Sequence, residues 1–349
     1  MSLPQIDAAF LLDFLIGLLN TPSPTGLAEP GIAFTEQALS AFPQLRLSRN
    51  RKGTLLGVWE GRASDTPRAL TAHVDTLGAM VKEIKEDGRL RLTQLGGYTW
   101  NSVEGEGCTI FTSQGAKIRG VILIETASAH IFSRQVVAET RREDSTMEVR
   151  LDARTTNPQE TRALGIEVGD FVALDPRVEV VDDFVRSRHL DDKACVACIV
   201  TAVKALCDAG LSPQQTTYLH ISNFEETGHG AATGIPPEVA ELLVVDMAAV
   251  GKGQTSDEFH ASLCVKDSNG PYHHEFSQRL RQLADQNNIP YKVDIYPFYG
   301  SDGGAFWKAG GDVAVGLIGP GVDASHSYER THLEALLATT QWIVAYLLS

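Results

Sequence analysis

The chain is short of positive charge: against 44 Asp and Glu it carries 30 Lys and Arg, for a formal net charge of -14 over 349 residues and a pI near 5.1. Binding a phosphate backbone needs a concentrated basic face, so this balance argues against a nucleic-acid partner while saying nothing about fold. Long apolar runs are also missing. None approaches the ~20 residues that span a bilayer, and no membrane partner is expected. The apolar stretch from Ile6 to Leu19 has no basic leader and carries Asp7 and Asp13. Phe10, Phe14 and Leu18, at i, i+4 and i+8, make it an amphipathic helix rather than a signal peptide, and the expected location is the cytoplasm. Cysteine is scarce and odd in number, with five residues in all, which excludes a disulfide framework. Cys195-x-x-Cys198 has no second such pair to build a structural zinc site. Both thiols fall early in an apolar helix, Ala194 to Leu206, where i, i+3 spacing puts them on one buried face. Internal repeats and low-complexity tracts are absent.

What is present divides into three textures. From residue 1 to 75, helical patterns around 6–19 and 31–41 alternate with strands, the last ending in Ala69-Leu70-Thr71-Ala72-His73. From 76 to 185 the period shortens to two, with runs such as Met147-Glu148-Val149-Arg150-Leu151 and Arg177-Val178-Glu179-Val180. One brief helix is expected there, capped by Asn157 with Pro158 at its first position. From 186 onward the α/β texture returns, closing with a helix whose Thr331 and Glu334 have capping-box spacing. The expected architecture is an α/β domain formed by 1–75 and 186–349, with a small β-rich domain inserted at 76–185.

The chemistry gathers at element ends. Glu225 and Glu226 stand where the run Thr217 to Ser222 gives way to a polar, Gly-bearing loop. A strand end turning there can aim two adjacent carboxylates at one point, one to bind a metal and one to stay free as a base. His73-Val74-Asp75 closes an earlier strand, where His73 can offer one ring nitrogen to a metal while Asp75 braces the other nitrogen or the nearby backbone. Alone, this triplet also fits a satisfied core histidine. Asp191 and Asp192 follow His189-Leu190 at a helix start, where one carboxylate serves as a cap and two are in excess. Asp246 ends an apolar strand, and His326 lies in a loop between Ser325 and Ser327; each has a bland reading as a cap or turn residue. Together they form a mixed His and carboxylate set without thiolate, suited to zinc, cobalt or manganese in a two-metal hydrolase. His130, His229, His260, His273, His274 and His332 read as surface or loop residues. Asp302, in a Gly-rich loop, reads as a candidate substrate-binding residue or a turn residue.

In these motifs the chain resembles the metallo-aminopeptidases of peptidase family forty-two, which include the TET-type, glutamyl and deblocking enzymes. The matching segments include Ala72-His73-Val74-Asp75-Thr76-Leu77-Gly78, Leu164-Gly165-Ile166-Glu167-Val168-Gly169-Asp170, His189-Leu190-Asp191-Asp192, Glu225-Glu226-Thr227-Gly228, Val245-Asp246-Met247-Ala248, Gly300-Ser301-Asp302 and Ser325-His326-Ser327. They run in the family's order over nearly the whole chain. The resemblance implies the three-layer α/β/α mixed-sheet domain of di-zinc exopeptidases, with an inserted barrel or PDZ-like domain for dimerisation. It further implies two divalent ions per subunit, zinc or cobalt first and manganese next. Asp191 would bridge them, His73 and Asp246 would complete one site, and Glu226 and His326 the other. Glu225 would be the general base and Asp75 the partner of His73. Short peptides would be the substrates, and the subunits would associate as dimers that can join into a closed dodecameric shell.

Two positions and one loop depart from the family: Asp192 where Asn is common, Lys193 where Arg is common, and Val322-Asp323-Ala324-Ser325 before His326. Two readings therefore compete with an aminopeptidase. One is a related di-metal amide hydrolase acting on acylated amino acids or a specialised small peptide, and the other is an inactive scaffold. A comparison of free-amine and acyl-blocked substrates separates the first, and metal analysis the second.

Overall fold

A computed structural model describes residues 3–349, which fall into two compact units. The larger comprises the chain up to Asp75 together with Arg177–Ser349; the smaller is Thr76–Pro176.

In the larger unit, strand Ala63–His73 lies parallel to Gln215–Ser222 on one side and to Glu241–Val245 on the other, and Ala314–Asp323 continues the parallel set. Leu55–Trp59 pairs antiparallel with Gln215–Ser222, and Ala261–Asp267 antiparallel with Ala314–Asp323, so the sheet is mixed. Its central strands read as nearly continuous apolar runs because both faces are covered. Leu70, Leu243, Val245 and Ile318 face one core, shared with helices Ala8–Leu19, Leu190–Asp208 and Leu333–Leu348. Their neighbours Ala69, Leu242, Val244 and Leu317 face a second core on the opposite side, where Phe306 and Trp307 of helix Asp302–Lys308 pack. This is the expected three-layer arrangement.

The first helix is capped by Asp7, whose carboxylate accepts the Phe10 N–H, and it buries Phe14 and Leu18 while Phe10 packs at the margin. All five cysteines are free thiols; Cys195 and Cys198 are fully buried. The last helix does not use the capping box. Thr331 belongs to strand Glu329–His332 and donates its hydroxyl to the Gly321 carbonyl, so His332 caps instead, its Nδ1 accepting the Glu334 N–H. Among the described residues no helix is long and apolar enough to cross a membrane.

The smaller unit is a closed barrel of six antiparallel strands, in the order Gly78–Ile84, Leu90–Leu95, Met147–Leu151, Lys117–Ile124, Gly107–Phe111 and Phe171–Leu174. Alternate residues such as Val81, Leu92, Ile110, Ile122, Val149 and Val172 fill the interior. Of the two expected shapes, barrel and PDZ-like, the chain adopts the barrel. The short helix Pro158–Ala163 begins as its sequence indicates, with the Asn157 side chain accepting the Glu160 N–H. The compact unit closes at Pro176, nine residues before the boundary expected from texture. Strand Glu179–Val181 alternates like a barrel strand, yet it pairs with Phe184–Ser187, which pairs with Glu329–His332 in the sheet of the larger unit. A period of two identifies a strand but not the sheet that it joins.

Candidate metal centre

The site lies at the carboxyl ends of the parallel strands. Ser222 stands in register with His73, so two strands end side by side and the chain beyond each enters the same space. Phe224, with φ of 71°, turns the second chain sharply. As a result the N–H groups of Glu225 and Glu226 both donate to the buried Asp75, at 3.2 Å to Oδ1 and 3.3 Å to Oδ2. Thr25 adds its hydroxyl to Oδ2 at 2.8 Å. Asp75 thus fixes the Glu-Glu turn, a wider role than bracing the preceding histidine.

The His73 Nδ1 lies 2.9 Å from the Asp75 carbonyl oxygen, which only accepts, so this nitrogen carries the hydrogen. Nε2 is the ring nitrogen turned toward the carboxylates. It sits 3.3 Å from Asp191 Oδ1 and 3.5 Å from Glu225 Oε2. The other oxygen of Asp191, Oδ2, lies 3.3 Å from His326 Nε2, which is 3.7 Å from Glu226 Oε2. One carboxylate therefore offers one oxygen to each histidine. Asp246 arrives from the end of strand Glu241–Val245, held by its N–H on the Ile318 carbonyl at 3.0 Å. All seven residues expected at the centre meet there: His73, Asp75, Asp191, Glu225, Glu226, Asp246 and His326.

Two groups of side chains each bring ligand-type atoms within 4.8 Å of one another: His73 with Asp192 and Asp246, and Asp191 with Glu226 and His326. Asp192 was not expected among them. Its Oδ2 accepts the His73 N–H at 3.1 Å, while its buried Oδ1 has no hydrogen-bond partner. The Asp191–Asp192 peptide bond is cis.

The electrostatics describe a centre short of positive charge. Burial first, then repulsion from Asp191, pushes the Glu226 carboxyl up to about 8 and that of Asp246 up to about 7. Burial, with Asp246 and Glu226 nearby, lifts Glu225 well above the ordinary carboxylate range. Asp191 goes the other way: burial opposes its charge, but hydrogen bonds from His326 and His73 hold it below that range. His73 is raised although burial disfavours its cation, because Glu225, Asp191, Asp192 and Asp75 outweigh the desolvation. An orphaned carboxylate oxygen and so many buried acids around two imidazoles are what a pair of divalent cations would satisfy, so the residues present fit that group.

A cavity of about 560 Å³ opens over the centre. Asp191, Glu225, Glu226, Asp246 and His326 line one wall, and Met247, Ala249, Tyr296, Pro297, Phe298 and Tyr299 form an apolar side. Asp302 is not on this surface. It is 2% exposed, with Oδ1 accepting the Ala231 N–H at 2.7 Å and Oδ2 the Thr71 hydroxyl at 3.3 Å, so it secures the loop beyond Glu226 rather than facing a ligand. Glu329, also missed from the sequence, accepts the N–H groups of Asp191 and His326. Its only sequence signal is a position three residues after His326, since its other partner lies 138 residues away.

Comparison with known proteins identifies the family. The family model for M42 glutamyl aminopeptidase matches residues 53–341. A Bacillus subtilis (strain 168) protein named "Putative aminopeptidase YhfE" is 46% identical over 339 residues, covering 97% of each chain. Among solved structures, an aminopeptidase of the archaeon Desulfurococcus kamchatkensis superimposes with a TM-score of 0.88 at 21% identity, covering 97% of this chain and 95% of its own. The TET1 peptidase of Pyrococcus horikoshii, described as assembling into a tetrahedron or a large octahedral shell, gives 0.84 at 20% identity, covering 97% and 99%. The chain belongs to the M42 glutamyl aminopeptidase family and is an aminopeptidase, a hydrolase of peptide bonds.

Proposed function

We propose that the chain removes N-terminal residues from short peptides with the help of two divalent cations per subunit, zinc or cobalt by preference and manganese as a further candidate. The observation that carries this reading is the Asp191 carboxylate, with one oxygen 3.3 Å from His73 and the other 3.3 Å from His326. Asp191 would serve both cations, His73 and Asp246 one of them, and Glu226 and His326 the other. When bound, the pair supplies Lewis-acid polarisation of a carbonyl and acidifies water.

Glu225 is the general base. Its carboxylate borders the cavity 3.5 Å from His73 Nε2, and its backbone is tied to Asp75. There it accepts the proton of the attacking water and delivers it to the leaving amine nitrogen. Asp75 holds the base and its neighbour Glu226 in place through their N–H groups. The acidic wall suits a substrate carrying a free, protonated α-amine, and the apolar wall gives its side chain a surface to pack on. Glu225→Gln should abolish hydrolysis of aminoacyl substrates while leaving the bound cations unchanged; normal turnover in that variant would dismiss the assigned base. Equal turnover of acyl-blocked substrates would favour the wider amide hydrolase instead.

The unit Thr76–Pro176 is proposed as the dimerisation domain, and the subunits as building a larger closed, dodecameric shell. The assemblies described for the Pyrococcus horikoshii TET1 peptidase support this reading. Light scattering reads the mass directly, and a monomer would refute it.

A further inference from the structure

Glu329 is 2% exposed, yet it does not border the cavity. Both oxygens are spent on backbone. Oε2 accepts the Asp191 N–H at 3.1 Å, and Oε1 accepts the His326 N–H at 3.0 Å. These are the two residues whose side chains face each other at 3.3 Å across the centre. They belong to segments far apart in sequence: Asp191 leads a helix, and His326 sits in a loop with φ of 63°, two residues after Ala324 at 57°, with Arg188 Nη1 also donating to the Ser327 carbonyl at 3.2 Å. Non-glycine residues persist in the left-handed region when their surroundings hold them there. Glu329 itself is anchored, opening strand Glu329–His332 in register with Ser187, four residues before Asp191.

We propose that Glu329 is a positioning residue that clamps Asp191 and His326 by their backbone N–H groups and so sets the geometry of the Asp191, Glu226 and His326 group. The inference rests on the two-cation reading above. A carboxylate suits the task because it only accepts, with an oxygen for each N–H. A Gln of the same shape has one oxygen, and its NH₂ would oppose the second N–H. Glu329→Gln therefore breaks one arm of the clamp at constant volume. Glu329→Asp keeps the charge but lacks the reach for both arms.

The test titrates chelator-treated wild type and both variants with Co²⁺, followed by visible absorption and calorimetry, with kcat and KM measured alongside. The clamp predicts two uptake steps in wild type, and in Glu329→Gln the step of the Asp191, Glu226 and His326 group weakened by about tenfold or more, with the other weakened less through the shared Asp191, the size of effect seen when a partner that orients a ligand is lost. Turnover should fall through kcat at steady KM, with the far-UV spectrum preserved. Two steps of unchanged affinity in both variants would overturn the clamp while leaving the two-cation reading intact. A wild type that takes up fewer than two cations would overturn that reading instead; the clamp then stands or falls on whether kcat drops in Glu329→Gln. Should neither variant fold, amide exchange in the wild-type protein decides: slow exchange at both Asp191 and His326 upholds the clamp, and rapid exchange at either refutes it.

Discussion

At the residue scale the centre is a set of acids held against their own repulsion, and this has a pH signature. In the folded chain the Glu226 carboxyl is raised from 4.5 to about 8 and that of Asp246 from 3.8 to about 7. A carboxyl raised on folding keeps its proton in the native state, so it contributes stability below its unfolded value that is lost as pH rises through the folded one. Cation-free protein should therefore lose thermal stability between about pH 4 and 8. If these two carboxylates are ligands as proposed, cation affinity should climb over the same window, because they must shed those protons to bind. Thermal scans with and without chelator, across pH, check both trends; a chelated protein that becomes more stable toward pH 8 would contradict them. Asp302 gives a second prediction. Its carboxylate ties Ala231 and Thr71 behind the Glu225–Glu226 loop, so Asp302→Ala should lower kcat by about tenfold to a hundredfold, as loss of an orienting partner does, with little change in KM. A KM effect alone would favour the substrate-facing role instead, one of the two that its sequence allows.

At the element scale, function depends on parallel strands buried on both faces. Leu243 is fully buried in the core beneath helices Leu190–Asp208 and Leu333–Leu348. Leu243→Ala should cost about 2–5 kcal/mol of stability, measurable by denaturant unfolding, while turnover per folded molecule stays close to wild type. Much of this layer was legible from the sequence, because apolar runs and their polar ends mark strands and the residues that emerge from them. His73, Glu225, Glu226 and Asp246 all stand at such ends. The less legible features were partnerships across the chain. Thr331 and Glu334 have capping-box spacing, but strand pairing diverts Thr331 to Gly321. Asp302 read as either a pocket or a turn residue because a Gly-rich loop carries no local sign that both its oxygens will be taken by distant groups. Glu329 reads as an ordinary strand residue until its two N–H partners are known.

At the scale of the whole molecule, the chain leaves the large sheet after Asp75 for a six-stranded barrel and returns at Arg177. The insertion was legible as a change of period, its end less so, since the hairpin around Glu179–Val181 and Phe184–Ser187 keeps the alternating pattern while serving the other sheet. If the barrel mediates association, a chain in which a short Gly/Ser linker replaces 76–176 should run at monomer mass in light scattering; retained assembly would assign the contacts to the larger unit.

In the proposed chemistry Asp191 serves both cations. The most direct measurement is the cation content of purified protein, by elemental analysis of wild type and Asp191→Ala after equilibration with zinc. Shared use of that carboxylate predicts two ions per wild-type chain and the loss of tight binding for both in the variant. A single ion in wild type, or two ions still tightly bound in Asp191→Ala, would contradict it.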